Sequence, residues 1–436
     1  MKILYDISAL GLGYYNQNNR AGIFRVVENI AQRLYASQEV SLKFCATEFN
    51  FFYTHNACVK YLNSNRQFEK DLFEYPISQR LFYKAINKTR QLCTNRVQEN
   101  EKFWLLCNLY KGLYKTTNYI SQLGNSIIPP IASGSLEGID IYHSTLFKMH
   151  EQVRKHKNIK RFLTVYDLIP ILYPDFFDIQ SGDTHFLEEV LNDLQHDDWI
   201  ICISESSKRD LCEYKNIDPE RVFVSHLAAD SAVFYPCRDD LKKKSLFEKY
   251  NIPEEPYFLG LSTLEPRKNI THTILCFLKL IEQENMKNLN LVLVGAKGWK
   301  YQKIFEVVKC QPEFTDRIIF VGFVEDEDLA VIYSYALAFV YMSFYEGFGL
   351  PPLEAMNCGI PVITSNTSSL PEVVGDAGIM LPPNDSDQLC QKLLEVYNGE
   401  DLRSKFARKS IESSKKFTWD KTLKTTIDAY KVAMSS

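Results

Sequence analysis

The stretch Leu337-Ala-Phe-Val-Tyr-Met-Ser-Phe-Tyr-Glu-Gly-Phe-Gly-Leu-Pro-Pro-Leu-Glu-Ala-Met-Asn-Cys-Gly359 decides how this chain is read. Leu337–Met342 is a short apolar run rich in strand formers and reads as a buried strand. A helix follows, which Pro351 or Pro352 can start and Gly359 can end. Between them, Gly347 and Gly349 let the backbone come close to a ligand, and the helix start turns N–H groups toward a phosphate. Two carboxylates, Glu346 and Glu354, bracket the turn with seven residues between them. One can sit beside a sugar and the other at the first helical turn, within reach of ribose hydroxyls. A plainer reading makes Glu354 an acid that complements the helix dipole and Glu346 a solvated loop residue.

Working outward, the same strand-then-helix pattern repeats. Strands are expected at Tyr257–Ser262, Asn290–Gly295, Arg317–Val321 and Ile360–Thr364, with helices at Asn269–Glu284 and Asp326–Ala336. In the first half, Ile3–Ile7, Ser41–Ala46, Ile139–Tyr142, Arg161–Val165, Trp199–Ile203 and Arg221–Val224 read as strands, and Ile23–Leu34 and Glu205–Tyr214 as helices. Alternation of this kind implies parallel sheets covered by helices on both faces. The fold class is therefore α/β, with two doubly wound Rossmann-like domains and a ligand cleft facing the carboxyl ends of both sheets. The expected division is 1–236, 237–415 and a terminal segment 416–436, with the join in the polar stretch Phe234–Glu254. Residues 51–125 break the alternation and are expected to form a helical insertion in the first domain.

At 436 residues the chain exceeds what one hydrophobic core usually supports, in keeping with two domains. A formal net charge of −4 excludes the overall basic surplus of a nucleic-acid-binding protein. The 11 cysteines form no CxxC pair, and Cys202, Cys276 and Cys358 lie in apolar segments as small core residues. Asp6 interrupts any signal-peptide apolar region, and no apolar run reaches the roughly 20 residues of a membrane span. A cytoplasmic location is expected, and the sequons at Asn87, Asn269 and Asn366 are read as accidental.

A second chemical signal lies at the carboxyl end of the strand Tyr257–Ser262, in Gly260-Leu-Ser-Thr-Leu-Glu-Pro-Arg-Lys-Asn269. Arg267 and Lys268 offer adjacent cations where a departing diphosphate needs neutralising. As plain surface charge they would oppose the dipole of the helix they precede.

These motifs resemble glycosyltransferase family 4, retaining enzymes of the GT-B fold. The family's Glu-x7-Glu motif matches Glu346 to Glu354, and its basic diphosphate loop matches Glu265-Pro-Arg-Lys-Asn269. Val294-Gly295, Val321-Gly322-Phe323-Val324 and Glu372-Val-Val-Gly375 match further strand-end patterns, and Ala21-Gly22-Ile23-Phe24-Arg25 resembles the loop that opens the first helix under the donor phosphate. Asp140-Ile-Tyr-His143 and Thr164-Val-Tyr-Asp-Leu-Ile-Pro170 resemble the next two strand ends. The resemblance implies transfer of a sugar from a nucleotide-sugar, a co-substrate rather than a bound cofactor, onto an acceptor hydroxyl. It places Arg267, Lys268, Glu346, Tyr166 and Asp167 at the reacting centre. Donor binding falls to Gly22, Thr263, Val324, Gly347, Phe348, Gly349, Leu350 and Glu354. GDP-mannose is the first guess for the donor, with UDP-glucose, GDP-fucose and dTDP-rhamnose open. The acceptor is a glycan, lipid-linked or peptide hydroxyl. The resemblance also implies that the last helix, Thr418–Ala433, crosses back to the first domain.

Many relatives carry His-Asp where this chain has Tyr166-Asp167. Tyrosine can hydrogen-bond but is not a cation near neutral pH, so a catalytically silent partner subunit stays open beside an epimerase-like GT-B enzyme. His143 is the nearest other imidazole, and reads equally as a satisfied histidine at a strand end. The triplets Asp326-Glu-Asp328 and Asp385-Ser-Asp387 are read as helix caps rather than metal ligands, and no metal is expected. Finally, residues 59–115 carry 11 Lys/Arg against five acids, interleaved with aromatics that include Phe68, Phe73, Phe82 and Trp104. That pattern suggests peripheral contact with an anionic inner membrane face, against the plainer expectation of a packed core with a solvated face.

Overall fold

The structure is a computed structural model. It describes residues 1–15, 22–48, 51–65, 67–69, 72–74, 88–89, 113, 115–116, 129–132, 134–177 and 183–436. Twelve described strands form two parallel sheets of six. The first contains β1 (Lys2–Asp6), β2 (Ser41–Cys45), β3 (Ile141–Ser144), β4 (Lys160–Val165), β5 (Trp199–Cys202) and β6 (Val222–Val224), in the order β2-β1-β3-β4-β5-β6. The second contains β7 (Tyr257–Leu261), β8 (Asn290–Val294), β9 (Ile318–Gly322), β10 (Ala338–Tyr341), β11 (Val362–Ser365) and β12 (Ile379–Leu381), in the order β12-β11-β10-β7-β8-β9. The expected α/β class with two doubly wound domains is what the chain forms.

Strand composition explains this arrangement. In β8 all five residues of Asn-Leu-Val-Leu-Val are buried, because helices cover both faces and no alternation with polar residues is needed. In the second sheet the chain winds outward from the centre in both directions, so the order reverses between β7 and β10. Their pairing, Ala338 beside Phe258 and Phe339 beside Leu259, brings the segments after both strands to one crevice. That is where an open parallel sheet receives a ligand.

The helix Trp419–Ser435 packs on the first domain, where the Tyr430 hydroxyl meets His143 Nδ1 at 2.5 Å. His143 Nε2 lies 2.8 Å from the Thr164 hydroxyl. The ring is fully buried, and burial pushes its pKa down to about 3, so it is a neutral core imidazole.

The helix Phe51–Ser64 opens the expected insertion; most of residues 65–128 lie outside the described residues. Phe68 and Phe73 are buried against the first sheet's core. Phe68 meets Phe44 edge-on at 5.2 Å, and Phe73 forms a parallel bridge with Phe44. These two aromatics are therefore core residues and not a membrane-facing surface, whereas Lys88 is exposed.

Candidate active site

Two segments meet at the crevice of the second domain. After β7 the chain turns through Ser262–Glu265 into a single 3-10 turn, Pro266–Lys268, and Asn269, with φ near 55°, starts the helix Ile270–Gln283. After β10 comes Ser343–Phe348, and then the helix Leu350–Asn357. Gly349 caps that helix with φ 116°, a conformation that side chains other than glycine rarely adopt. Pro351 and Pro352 have no N–H, so the amides that can face a phosphate there are those of Gly349 and Leu350.

A row of hydroxyls holds the second segment in shape. Ser369 donates to the carbonyls of Glu346 and Phe348 at 2.9 and 2.7 Å, Thr367 to that of Phe344 at 2.9 Å, and Ser368 accepts from the Glu346 amide at 2.9 Å. The run Ser365-Asn-Thr-Ser-Ser369, which looks in sequence like an ordinary polar loop, is thus the scaffold of the carboxylate turn.

The charged centre is built on that scaffold. Arg267 donates through Nη2 to Glu265 Oε1 at 2.7 Å and through Nη1 to the Tyr345 carbonyl at 2.7 Å, with Glu346 Oε2 3.0 Å from Nη1. Lys268 Nζ donates to Glu346 Oε1 at 2.7 Å and to the Tyr341 hydroxyl at 2.8 Å. Ser343 and Tyr341 also donate to Glu346 Oε1, at 2.6 and 2.9 Å. Burial works to raise the pKa of Glu346, but Arg267 and Lys268 outweigh it and hold the carboxyl near 2. Burial and the neighbouring Arg267 lower the pKa of Lys268, while Arg267 is held firmly charged by Glu346 and Glu265 despite its burial. Burial raises Glu265.

The first domain closes against this centre. A Cβ on Gly347 would lie 2.8 Å from the Tyr166 carbonyl and 3.1 Å from Asp167 Oδ2, so only glycine permits this approach. Asp167 accepts from the Ile169 amide at 3.0 Å, and burial raises its pKa against the pull of Arg267. The Tyr166 hydroxyl is pushed up by burial and is neutral. Glu372 accepts from the amides of Glu205 and Ser206, both at 2.7 Å, at the start of the helix Glu205–Lys215. Tyr345 hydrogen-bonds Asp210 on the same helix, and Phe176 stacks on Phe344 with centroids 5.5 Å apart.

Glu354 lies in a different setting: it is the fifth residue of the helix Leu350–Asn357, one turn further in than the first turn expected for it. It accepts from the Tyr333 hydroxyl at 3.1 Å and has Arg25 Nη1 3.7 Å away, from the first domain. Burial raises its pKa to about 7 against the opposing charge of Arg25.

The remaining expected donor residues divide. Gly22 is exposed at the start of the helix Ile23–Ala36, and Thr263 is exposed beside Gly298. Leu350 is the first residue of its helix. Phe348 is buried, with its ring 5.8 Å from Phe417 and 5.9 Å from His226, so only its backbone faces the turn. Val324 is buried as well; the side chain its loop offers outward is Phe323, 70% exposed. Asp385 caps the helix Ser386–Asn398 as expected. Asp326 and Asp328 lie in the first turn of the helix Asp326–Ser334, where they complement its dipole, but neither is its cap: the cap position is Glu325, Asp326 pairs with Arg25, and Asp328 accepts from Lys249 and Tyr250 at 2.7 and 2.8 Å. Glu265, Tyr341, Ser343 and Arg25 belong to the site and were given no role from sequence. All four stood inside quoted stretches, as bystanders to the residues that were assigned.

Two doubly wound sheets that face across a cleft, one opening its switch point on paired cations, define the GT-B class. The sequence profile described as "Glycosyl transferases group 1" matches residues 242–413. An Escherichia coli protein named O-antigen chain mannosyltransferase B is 32% identical over 293 residues, 67% of this chain and 74% of that one. The serotype-specific mannosyltransferase WbdA of the same organism is also 32% identical, over 62% of this chain, which spans only 33% of that longer protein. Among solved structures, a Rickettsia africae glycosyltransferase superposes with a TM-score of 0.61 at 16% identity, covering 99% of this chain and 98% of its own. The Anabaena protein HepE, solved with UDP and glucose, gives 0.61 at 15% identity, over 98% of each chain. The chain belongs to the group 1 glycosyl transferases, the family-4 type, and is a glycosyltransferase that draws on a nucleotide-sugar donor. Among the described residues no helix is long and apolar enough to cross a membrane.

Proposed function

We propose that the protein is a retaining, metal-independent mannosyltransferase that takes GDP-mannose and extends a polysaccharide. The observation that carries this is the pairing of Arg267 and Lys268 on Glu346 at the switch point, where a diphosphate can replace part of the carboxylate's hold on both cations. The mannosyl donor rests on the names of the relatives, which are O-antigen mannosyltransferases.

In this reading the bond between the anomeric carbon and the phosphate oxygen breaks, with its electron pair leaving on the diphosphate. Arg267 and Lys268 stabilise that charge, which in a water-poor site is worth far more than in bulk solvent. The acceptor oxygen bonds the anomeric carbon from the same face, and its proton passes to the leaving phosphate. No separate protein base is required. Glu346 orients the sugar hydroxyls, Glu354 the ribose, and Tyr166 and Asp167 close the sugar end of the cleft from the other domain. The two cations already supply the positive charge a metal would bring.

Product analysis tests this directly. With GDP-α-mannose and a mannoside acceptor, NMR of the product should show an α-linkage, at a rate unchanged by excess EDTA. A β-linkage refutes retention; loss with EDTA and recovery with Mg²⁺ or Mn²⁺ refutes metal independence. A lipid-linked acceptor would also suit the basic surplus of residues 59–115. Salt-sensitive sedimentation with anionic liposomes, lost on changing Lys84, Lys88 and Arg90 to Glu, is the corresponding test.

A further inference from the structure

Arg25 is the third residue of the helix Ile23–Ala36, in its first turn, where a cation opposes the helix dipole. The first turn of its own helix carries no acid to compensate. The compensation comes from the other domain: Asp326 pairs with Nη2, and Glu354 lies 3.7 Å from Nη1. Arg25 also borders an open cleft of about 530 Å³ between the domains, lined by Phe24 and Glu28 on one side and Asp326 on the other. The guanidinium can therefore withdraw from its partners without disturbing either core.

Glu354 depends on that partner far more than Asp326 does. The Glu354 side chain is 9% exposed against 52% for Asp326, so water solvates the aspartate whether or not Arg25 is present. The groups that face Glu354 are Arg25, the Tyr333 hydroxyl, Asp326 and, one turn along its own helix, Cys358. Of these only Arg25 is a cation, and it belongs to the other domain.

We propose that Arg25 is a positioning residue of the donor site. It acts across the cleft through Glu354, keeping that carboxylate charged and oriented for the ribose hydroxyls of a nucleoside diphosphate only while the domains are together. Tight nucleotide binding and closure thereby become one event, because the ribose contact reaches full strength only when both halves of the molecule are engaged. This rests on the reading of Glu354 as the ribose carboxylate, and burial, which favours its neutral form near pH 7, is what gives one guanidinium such leverage.

Calorimetric titration with GDP, from pH 5.5 to 9, tests the proposal in wild type, Arg25→Ala, Arg25→Lys, Glu354→Gln and the double variant. Wild-type affinity should rise with pH about a midpoint near 7. Arg25→Ala should weaken binding at pH 7.5 about tenfold and move the midpoint up by about one pH unit, the usual effect of removing an opposite charge at this distance. Arg25→Lys should recover most of the shift. Glu354→Gln should bind weakly at every pH, and adding Arg25→Ala to it should change nothing further. If Glu354→Gln binds like wild type, or wild type does not bind GDP, the ribose assignment itself fails. If Glu354→Gln weakens binding but Arg25→Ala leaves affinity and midpoint unchanged, the assignment stands and the Arg25 proposal is overturned.

Discussion

Glu346 and Glu354 begin and end one motif, are both buried, and yet titrate on opposite sides of the ordinary carboxylate value. Glu346 faces two cations and two hydroxyl donors within 3.0 Å, all from its own domain, and is held near 2. Glu354 has one phenol at 3.1 Å and a guanidinium at 3.7 Å borrowed from the other domain, and sits near 7. Burial costs both carboxylates alike; the number and distance of their cations decide which stays ionised. The same residue type, eight positions apart, thus gives a permanent charge at the switch point and a conditional one against the other domain.

The strongest way to break this contrast is to remove the cations of Glu346. Arg267→Ala and Lys268→Ala should each lose about 2–4 kcal/mol of transition-state stabilisation, or two to three decades in kcat, in steady-state assays of sugar transfer. A change of only a few-fold in both would take the leaving group away from these residues. Glu346→Gln should follow, with kcat down roughly a hundredfold, because an amide offers one acceptor oxygen where the carboxylate offers two. The wild-type charge also contributes stability. Its folded pKa lies below the unfolded value of about 4.5, so the contribution is present above that value and is lost as pH falls toward 2. The Glu346→Gln variant should therefore show a flatter acid limb in its melting temperature.

Glu354→Gln sharpens the contrast with a smaller effect. Its donor KM should exceed wild type about tenfold at pH 8 and approach it at pH 6, where the wild-type carboxyl is itself protonated. The stability trend runs opposite to that of Glu346. A raised folded pKa contributes stability below the unfolded value, and that contribution is lost as pH rises through about 7. The neutral variant should then gain a few degrees of melting temperature over wild type between pH 5 and pH 8. A constant difference across that range would mean that Glu354 is not titrating there.

Much of the fold was legible because the strands of a parallel sheet are continuous apolar runs between helices, as in Leu291–Val294 and Ala338–Tyr341. The strand Ile379–Leu381 escaped notice: three residues between Gly378 and Pro382 carry no periodicity. The helix Ser8–Tyr15 was missed because two glycines lower its local preference, which packing against the helix Phe51–Ser64 overrides. At the site, Glu346, Glu354, Arg267 and Lys268 stood out by spacing and charge. Tyr341 and Ser343 did not, since a tyrosine at a strand end and a serine after it look like edge-of-core residues until a carboxylate is seen to fold back on them. Val324 and Phe323 exchanged places because one residue in an irregular loop decides which side chain turns inward.

The helix Trp419–Ser435 gives the chain a delayed assembly order. It supplies the Tyr430 hydroxyl to His143, takes the Ser225 hydroxyl on its Thr422 carbonyl at 3.0 Å and covers the first sheet, but leaves the ribosome about 190 residues after β6. At about 5–20 residues per second, that face stays open for roughly ten to forty seconds while the whole second domain is made. The second domain can therefore be finished before the first is sealed. A nascent chain stalled in this interval exposes His143 and Phe162, a surface that chaperones would meet and that the completed enzyme never shows.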